Sequence, residues 1–173
     1  MDAKETQNAK LEFFNDSHIY KTSIEELEEK DVNSFSNMVS NVFNEFVGIN
    51  YSKEGNDTFN EYIDPKNVLE RLNNSNNLFY VAKLNNEIIG ILEIKNNNHI
   101  SLFFVKKEFH KNGIGKKLIE KYKETIMEIT GVNKIIVNSS IYAEKIYSKL
   151  GFIRTNEIQE KNGIKYIPME CKL

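Results

Sequence analysis

The sequence predicts a mixed α/β fold in which helices cover both faces of a single sheet. Short apolar runs, rich in β-branched and aromatic residues, alternate with longer segments whose apolar residues recur every three or four positions. Three successive runs in the middle of the chain are separated only by asparagine-rich turns, which indicates an antiparallel meander. The predicted order of elements is β-α-α-β-β-β-α-β-α-β-β.

The first half supplies one strand and two helices. Residues 19–24 form the predicted strand, and residues 25–47 carry apolar side chains at close to helical spacing. Asp64 and Pro65 open the second helix, which runs to Leu72, because proline is favoured at the first helical position.

The meander follows, and a second α/β segment completes the chain. Asparagine favours the two meander turns because its side chain mimics backbone hydrogen bonding and tolerates left-handed conformations. The meander strands are Leu78–Leu84, Glu87–Lys95 and His99–Val105. The later elements are a helix at Gly113–Ile129, a strand at Lys134–Asn138, a helix at Ala143–Leu150, and a hairpin of Phe152–Gln159 with Lys165–Lys172.

Length and composition indicate one globular domain. The chain has 173 residues, of which 40% are hydrophobic and 28% charged. We expect residues 1–17 to be an amino-terminal extension, partly disordered or an added strand, and residues 18–173 to be the domain. No apolar run approaches the ~18 residues of a membrane span, so we expect a cytoplasmic protein without a membrane partner. The single cysteine, Cys171, lacks companions for a disulfide or a metal site.

Charge is distributed unevenly along the chain. Residues 1–60 carry 5 Lys against 12 Asp and Glu, and residues 61–173 carry 18 Lys and Arg against 13 Asp and Glu, so −7 and +5 give the net −2. The basic excess peaks at residues 106–123. A local basic patch on a nearly neutral protein favours a small polyanion, and we expect no nucleic-acid partner. The alternative for part of this patch is a solvated helix face.

The segment between Val105 and Leu118 is the most informative. A strand ends at Val105 and a helix begins near Gly113, and helix amino termini bind anions through unpaired N–H groups. Gly113 and Gly115 would let a phosphate approach the backbone closely. Two nucleotide motifs are excluded, because a Walker loop needs Ser or Thr where Lys117 stands, and a dinucleotide loop needs a third glycine.

This loop resembles the core motif Q/R-x-x-G-x-G/A of the GNAT superfamily of N-acetyltransferases, with His110 in place of Gln or Arg. A second block, residues 137–152, looks like the family's helix that ends in Y-x-K-L-G-F. The two blocks occur in the family's order, and the resemblance covers about residues 18–172.

The resemblance implies an acetyl-coenzyme A site and a role for each matching residue. Tyr147 matches the tyrosine that protonates the departing thiolate. Phe103, Phe104 and Val105 would offer backbone groups to the pantetheine arm and the thioester. Ser140 holds the place of a cofactor-binding asparagine, and Asn138 lies two residues earlier. The loop that would surround the pyrophosphate comprises His110, Lys111, Asn112, Gly113, Ile114, Gly115 and Lys116.

The implied reaction requires that an acceptor ammonium lose a proton. Relatives that acetylate histones place a carboxylate base where His99 stands here, and histidine titrates near neutrality. A three-residue turn would place Lys95 opposite His99 and Glu93 opposite Ser101, so that Glu93 and His99 are diagonal neighbours. His99 and Glu93 are therefore candidate bases, and the alternative for His99 is a solvated strand end. Strict alternation would also put on one face His99, Ser101, Phe103 and Val105.

The acceptor pocket would be formed by the variable segment 43–72. Aromatic residues there would line an apolar pocket or pack as core: Phe43, Phe46, Tyr51, Phe59 and Tyr62. Acidic residues in the same segment would favour a cationic amine such as a polyamine or a lysine side chain: Glu45, Glu54, Asp57 and Glu61.

The resemblance predicts an N-acetyltransferase that moves an acetyl group from acetyl-CoA to a primary amine on a small molecule or peptide. We expect direct attack in a ternary complex, because no cysteine lies near the motifs. The alternative is a non-catalytic coenzyme A-binding sensor of the same fold. A homodimer is left open.

Overall fold

The computed structural model describes residues 11–15, 18–128 and 131–173, with side chains from residue 22 onward. It confirms the mixed α/β class. The strands are β1 Leu11–Asn15, β2 His18–Glu26, β3 Leu78–Leu84, β4 Glu87–Lys95, β5 His99–Val105, β6 Lys134–Ser139, β7 Ile153–Arg154, β8 Gln159–Lys161 and β9 Ile164–Lys172. The helices are α1 Val32–Phe46, α2 Lys53–Tyr62, α3 Pro65–Leu72, α4 Ile114–Ile126 and α5 Glu144–Lys149.

Eight strands follow one another across the sheet in the order β1-β2-β3-β4-β5-β6-β9-β7, and β8 pairs with β9. Neighbouring strands are antiparallel except for β5 and β6, which are parallel. That parallel pair is short, because only His99 with Ile136 and Ile100 with Val137 are in register. Beyond these two pairs β5 and β6 diverge, and a cleft opens between them.

Each face of the sheet carries its own apolar core. Helix α4 covers one face, where its buried side chains include Leu118, Tyr122 and Ile126. Helices α1 and α3 cover the other face, with Phe35 and Val68 fully buried. We call these the α4 side and the α1 side. This arrangement is what the helical spacing of apolar residues predicts.

The pairing of β4 with β5 differs from the register expected from the sequence, because β5 contains a β-bulge. Lys95 does face His99, but Glu93 faces Leu102 rather than Ser101, so Ser101 is an extra residue on β5. The bulge also breaks the expected alternation. Ile100 packs on the α4 side, so the preceding His99 faces the α1 side. Phe103 and Val105 nevertheless pack on the α4 side, so the four residues do not share a face.

Helix α2 was not assigned from the sequence. It contains few apolar residues, so its periodicity is weak, and its support comes from contacts distant in sequence. Ser52 caps it by accepting a hydrogen bond from Gly55 N, and the same hydroxyl donates to Gly163 O at 3.3 Å. A Cβ on Gly55 would lie 2.5 Å from Gly163 O. The amino terminus of α2 therefore rests directly on the turn between β8 and β9.

Several predicted bounds shift at the ends of elements. The first helix begins at Val32 rather than residue 25, because β2 continues to pair with β3 as far as Glu26. The predicted strand 152–159 is divided into β7 and β8. Thr155 N donates to Pro168 O, but Pro168 has no N–H to return, and the pairing of β7 with β9 ends there.

The chain's amino-terminal part is described only in segments. β1 pairs antiparallel with β2, while residues 1–10 and 16–17 lie outside the described residues. The domain boundary at residue 18 stays a prediction. The predicted end of α4, at residue 129, also lies outside the described residues. The helix itself ends at Ile126. Among the residues that are described, no helix is long and apolar enough to cross a bilayer.

Candidate active site

The divergence of β5 and β6 creates a cavity of about 500 Å³. One wall is the carboxyl end of β5 with the loop into α4, and the opposite wall is the end of β6 with α5. From Phe103 to Val105, β5 pairs with β4 on one edge only. The other edge therefore presents backbone N–H and C=O groups to the cleft, ready to pair with an extended ligand.

The loop before α4 is shaped for an anion. Lys111 and Gly113 have φ angles of 63° and 77°, in the left-handed region that glycine adopts freely. The first helical bond of α4 runs from Lys117 N to Gly113 O at 3.0 Å. The amides of residues 114–116 therefore have no partner within the helix, and the positive end of its dipole adds to them.

The two glycines of this loop serve different purposes. A Cβ on Gly113 would meet no atom within 4 Å, so glycine is needed there for its φ angle and the space above it stays open. A Cβ on Gly115 would lie 2.9 Å from the tip of the Phe103 ring. Glycine at position 115 therefore allows the ring of Phe103 to lie against the start of α4.

His110 anchors the loop to the end of β5. Its Nε2 lies 2.8 Å from Val105 O, and because a carbonyl oxygen only accepts, Nε2 carries the proton. The ring also lies 5.4 Å from the ring of Phe46. Of the predicted loop residues, Asn112 does not line the cavity, whereas residues 110, 111 and 113–116 do.

The opposite wall contains the second set of predicted residues. Asn138 is exposed and Ser140 is half-buried, and both line the cavity. Ser140 Oγ accepts a hydrogen bond from Ala143 N at 3.2 Å, which turns the chain toward α5. The serine hydroxyl thus stabilises the turn, while Asn138 is an exposed residue of the cavity lining.

Tyr147 lies deep in the cleft with its ring held between two phenylalanines. Its ring centroid is 5.8 Å from that of Phe103 and 5.3 Å from that of Phe152. Burial raises the pKa of the Tyr147 phenol above its ordinary value of 10, so the group stays protonated at neutral pH. Within the described residues its hydroxyl makes no side-chain hydrogen bond, although it lines the cavity.

The two candidate bases do not line this cavity. Glu93 is fully buried and bound by Arg71, whose Nε and Nη2 donate to its two carboxylate oxygens at 2.7 and 3.2 Å. Tyr62 Oη donates to Glu93 Oε1 at 2.8 Å, and the Arg71 guanidinium lies 3.7 Å above the Tyr62 ring. Burial and then the charge of Lys95 lower the pKa of His99. The role of base for either residue stays a prediction.

The sequence analysis missed Arg71, which anchors this network. Its Nη1 also donates to Tyr62 O and Asn67 O, so it joins α2, α3 and β4. A signal was available, since Arg71 and Arg154 are the only arginines in a lysine-rich chain. A bidentate, buried contact with a carboxylate is a site where arginine and lysine are not interchangeable.

The part of the cavity next to α1 and α2 is aromatic. The rings of Phe43 and Phe59 stack with centroids 3.7 Å apart, and Tyr51 and Phe104 lie edge-on to this pair at 5.4 and 6.1 Å. Phe46 completes the lining. The predicted aromatic pocket therefore exists in the structure, but without Tyr62, which packs on Arg71 and Glu93 instead.

The acidic residues of this segment do not line the pocket. Glu45 and Asp57 each bind a lysine, since Lys107 Nζ donates to Glu45 at 2.6 Å and Lys53 Nζ donates to Asp57 at 2.5 Å. Glu54 and Glu61 are exposed. The structure therefore gives no support to the expectation that these residues select a cationic amine.

Comparison with known proteins defines the class to which this fold and cleft belong. A family model described as the acetyltransferase (GNAT) domain matches residues 47–173. The chain belongs to the GNAT family of acetyltransferases.

Solved structures agree with this assignment. A GCN5-related N-acetyltransferase from Rhodopseudomonas palustris is 19% identical, with a TM-score of 0.74 over 87% of this chain and 95% of that one. PaiA N-acetyltransferase from Thermoplasma acidophilum, solved in complex with coenzyme A, is 20% identical, with a TM-score of 0.72 over 88% and 99%. A GNAT-family acetyltransferase from Staphylococcus aureus Mu50 is 21% identical, with a TM-score of 0.70 over 87% and 98%. At such identities the likeness shows the fold.

Proposed function

We propose that this chain transfers an acetyl group from acetyl-coenzyme A to a primary amine by direct attack, with both substrates bound. One observation carries the proposal: the unpaired edge of β5 leads to the unpaired amides of α4, and the Tyr147 phenol lies in the same cleft. Direct attack is supported by the position of the only cysteine. Cys171 lies buried in β9 and does not line the cavity, so it offers no thiol for an acyl-enzyme.

The cleft fits coenzyme A in shape and in chemistry. The free edge of β5 at residues 103–105 pairs with the amide groups of the pantetheine arm. The amides of residues 114–116 bind the pyrophosphate, with Lys111 and Lys116 beside them and Lys149 on the opposite wall. Asn138 offers a polar contact from that wall. When bound, acetyl-coenzyme A supplies the activated acetyl group as a thioester.

Tyr147 acts as the proton donor for the leaving sulfur. Its raised pKa keeps the proton on the phenol, and no protein group within the described residues competes for its hydroxyl. A phenol is a suitable acid for a thiolate because both titrate above neutrality. Phe103 and Phe152 hold the ring in place, so the proton is delivered from a fixed position.

The proposal is tested with the purified chain in two measurements. Calorimetry measures coenzyme A binding, and release of free thiol measures acetyl-CoA turnover with a broad panel of primary amines. We expect binding together with amine-dependent turnover. Binding without turnover on any amine would favour the coenzyme A sensor, and absence of binding would refute the cofactor assignment itself.

A further inference from the structure

The cavity has two halves of different chemistry. The cofactor half is formed by the loop before α4, the end of β6 and α5, and it carries three lysines. The aromatic half is defined by Phe43, Phe46, Tyr51, Phe59 and Phe104. The aromatic half lies on the α1 side, opposite the phosphate-binding amides.

No carboxylate lines either half among the residues that the structure describes. Two acids of neighbouring elements are already engaged: Glu45 with Lys107, and Glu93 with Arg71 of α3. The charged lining residues are lysines of the cofactor half. A second ammonium group on an acceptor would therefore lose its hydration in the aromatic half and gain no counter-charge, with only cation–π contacts to the rings in return.

The polar groups that remain in the aromatic half are few. Ser101, the bulged residue of β5, lines the cavity beside Phe104, and the Tyr51 hydroxyl is a second polar group. The rings of Tyr142 and His110, which lie 5.3 and 5.4 Å from the Phe46 ring, supply the others. Burial raises the pKa of the Tyr51 phenol, so this hydroxyl stays uncharged at neutral pH. A few polar groups among several aromatic walls, with no carboxylate, form the lining of a site for an apolar body with a polar end.

We propose that the acceptor is a primary amine carried on an aromatic or similarly apolar body, without a second positive charge. The inference rests on the proposed acetyltransferase function and names its substrate class. The aromatic half receives the apolar body by stacking and edge-on contacts with its rings, and the amine points toward the cofactor half. A diamine or polyamine is a poor acceptor, because its second ammonium group finds no carboxylate in the lining.

We assign the amine's proton to solvent, because neither of the candidate bases Glu93 and His99 lines the cavity. The amine sheds its proton to solvent and attacks as the free base, so a C–N bond forms while the C–S bond breaks. The nitrogen then loses its second proton to water, and the sulfur receives the proton of Tyr147, which solvent restores. The pH dependence of the rate therefore follows the pKa of the amine itself and shifts when the amine is changed.

The test compares two acceptors that differ by one charge. With acetyl-CoA saturating, kcat/KM is measured for 2-phenylethylamine and for the same ring bearing a second aminomethyl group. The expected preference for the monoamine is about 10- to 100-fold, the effect of leaving one charged group without a partner. Putrescine-type diamines should be poorer still.

A matched pair of variants ties that preference to the pocket. Tyr51→Glu places a carboxylate in the aromatic half and should move the ratio of the two kcat/KM values toward the diamine. Tyr51→Gln introduces a side chain of the same size as glutamate but without its charge. This variant should leave the ratio of the two kcat/KM values near that of the wild type. A ratio is insensitive to the fraction of folded enzyme, so partial loss of stability does not obscure the result.

Three outcomes would overturn the inference. One is a wild-type preference for diamines or polyamines. Another is a Tyr51→Glu ratio equal to that of Tyr51→Gln. The third is acyl-CoAs with longer chains reacting about tenfold faster than acetyl-CoA, because the aromatic half would then hold the acyl chain. Each of these shows turnover, whereas failure of the proposed function would show no turnover with any amine.

Discussion

The two halves of the cleft are built from different parts of the chain. One wall of the cofactor half is mainly backbone, the free edge of β5 and the first amides of α4 in a continuous segment from Phe103 to Lys116, and it faces the end of β6 and α5. The aromatic half consists of side chains from α1, α2 and β5, which meet only because the fold brings them together. A ligand common to a family can be bound by backbone, whereas selection of an individual acceptor requires side chains.

The largest expected effect concerns the reaction that joins the two halves. Tyr147→Phe keeps the ring contacts with Phe103 and Phe152 and removes only the acidic proton. Turnover should fall by about 10²–10⁴-fold, the usual contribution of a general acid, with coenzyme A affinity nearly unchanged. Steady-state kinetics and calorimetry check both. Turnover within about twofold of the wild type, with acyl transfer as the slow step, would reduce Tyr147 to a packing residue.

The next largest effect concerns the buried ion pair between Arg71 and Glu93. Arg71→Ala leaves the Glu93 carboxylate buried without its partner, and breaking a buried ion pair in this way costs about 3–5 kcal/mol. Urea unfolding measures the loss at neutral pH. Lys53→Ala removes one member of the exposed Lys53–Asp57 pair and serves as the control, with little change in stability expected. Equal losses of stability in both variants would contradict the view that the buried Arg71–Glu93 pair matters more than the exposed Lys53–Asp57 pair.

A third effect concerns the cofactor half alone. Gly115→Val would push the Phe103 ring from its place against α4 into the cleft, and we expect coenzyme A binding to weaken by about 1–3 kcal/mol. Gly113→Ala meets open space, so its effect should be backbone strain, about 1 kcal/mol of folding stability. Calorimetry and thermal unfolding separate the two. Unchanged affinity in a folded Gly115→Val variant would contradict the assignment of this loop.

The smallest effect concerns pH. Burial and the charge of Lys95 lower the pKa of His99 below the usual value of about 6.5, so the unfolded chain binds a proton more readily than the folded one. Stability should therefore fall as the pH drops through about 6.5 toward the folded pKa, by at most about 1.4 kcal/mol per pH unit from this group. His99→Gln should flatten this slope. An unchanged slope in the variant would show that other groups cause it.

The difference between local and long-range contacts also explains which features could be predicted from the sequence. The three meander strands have the predicted bounds, because apolar runs rich in β-branched and aromatic residues and the asparagine turns between them are local signals. The loop between β5 and α4 was also placed correctly, since a strand, two glycines and a helix follow one another directly. The bulge at Ser101, which reverses the face of Phe103 and Val105, has no local signal.

Long-range pairing accounts for the other differences. The Arg71–Glu93 ion pair joins a helix to a strand 22 residues later, and only the fold decides that these side chains meet. Helix α2 has a weak apolar pattern and owes its position to the β8–β9 turn. The aromatic residues of segment 43–72 were named correctly as a group, yet Tyr62 turned toward Glu93 instead of the cavity.

The close contact between Gly55 and Gly163 also orders events during synthesis. The segments that line the cavity end at Leu150, whereas the turn that supports α2 lies at Gly163. On the ribosome, the turn that α2 requires therefore emerges after the segments that line the cavity. In a nascent chain, helix α2 and the Phe59 ring that it carries can therefore take their final place only after Gly163 has been synthesised.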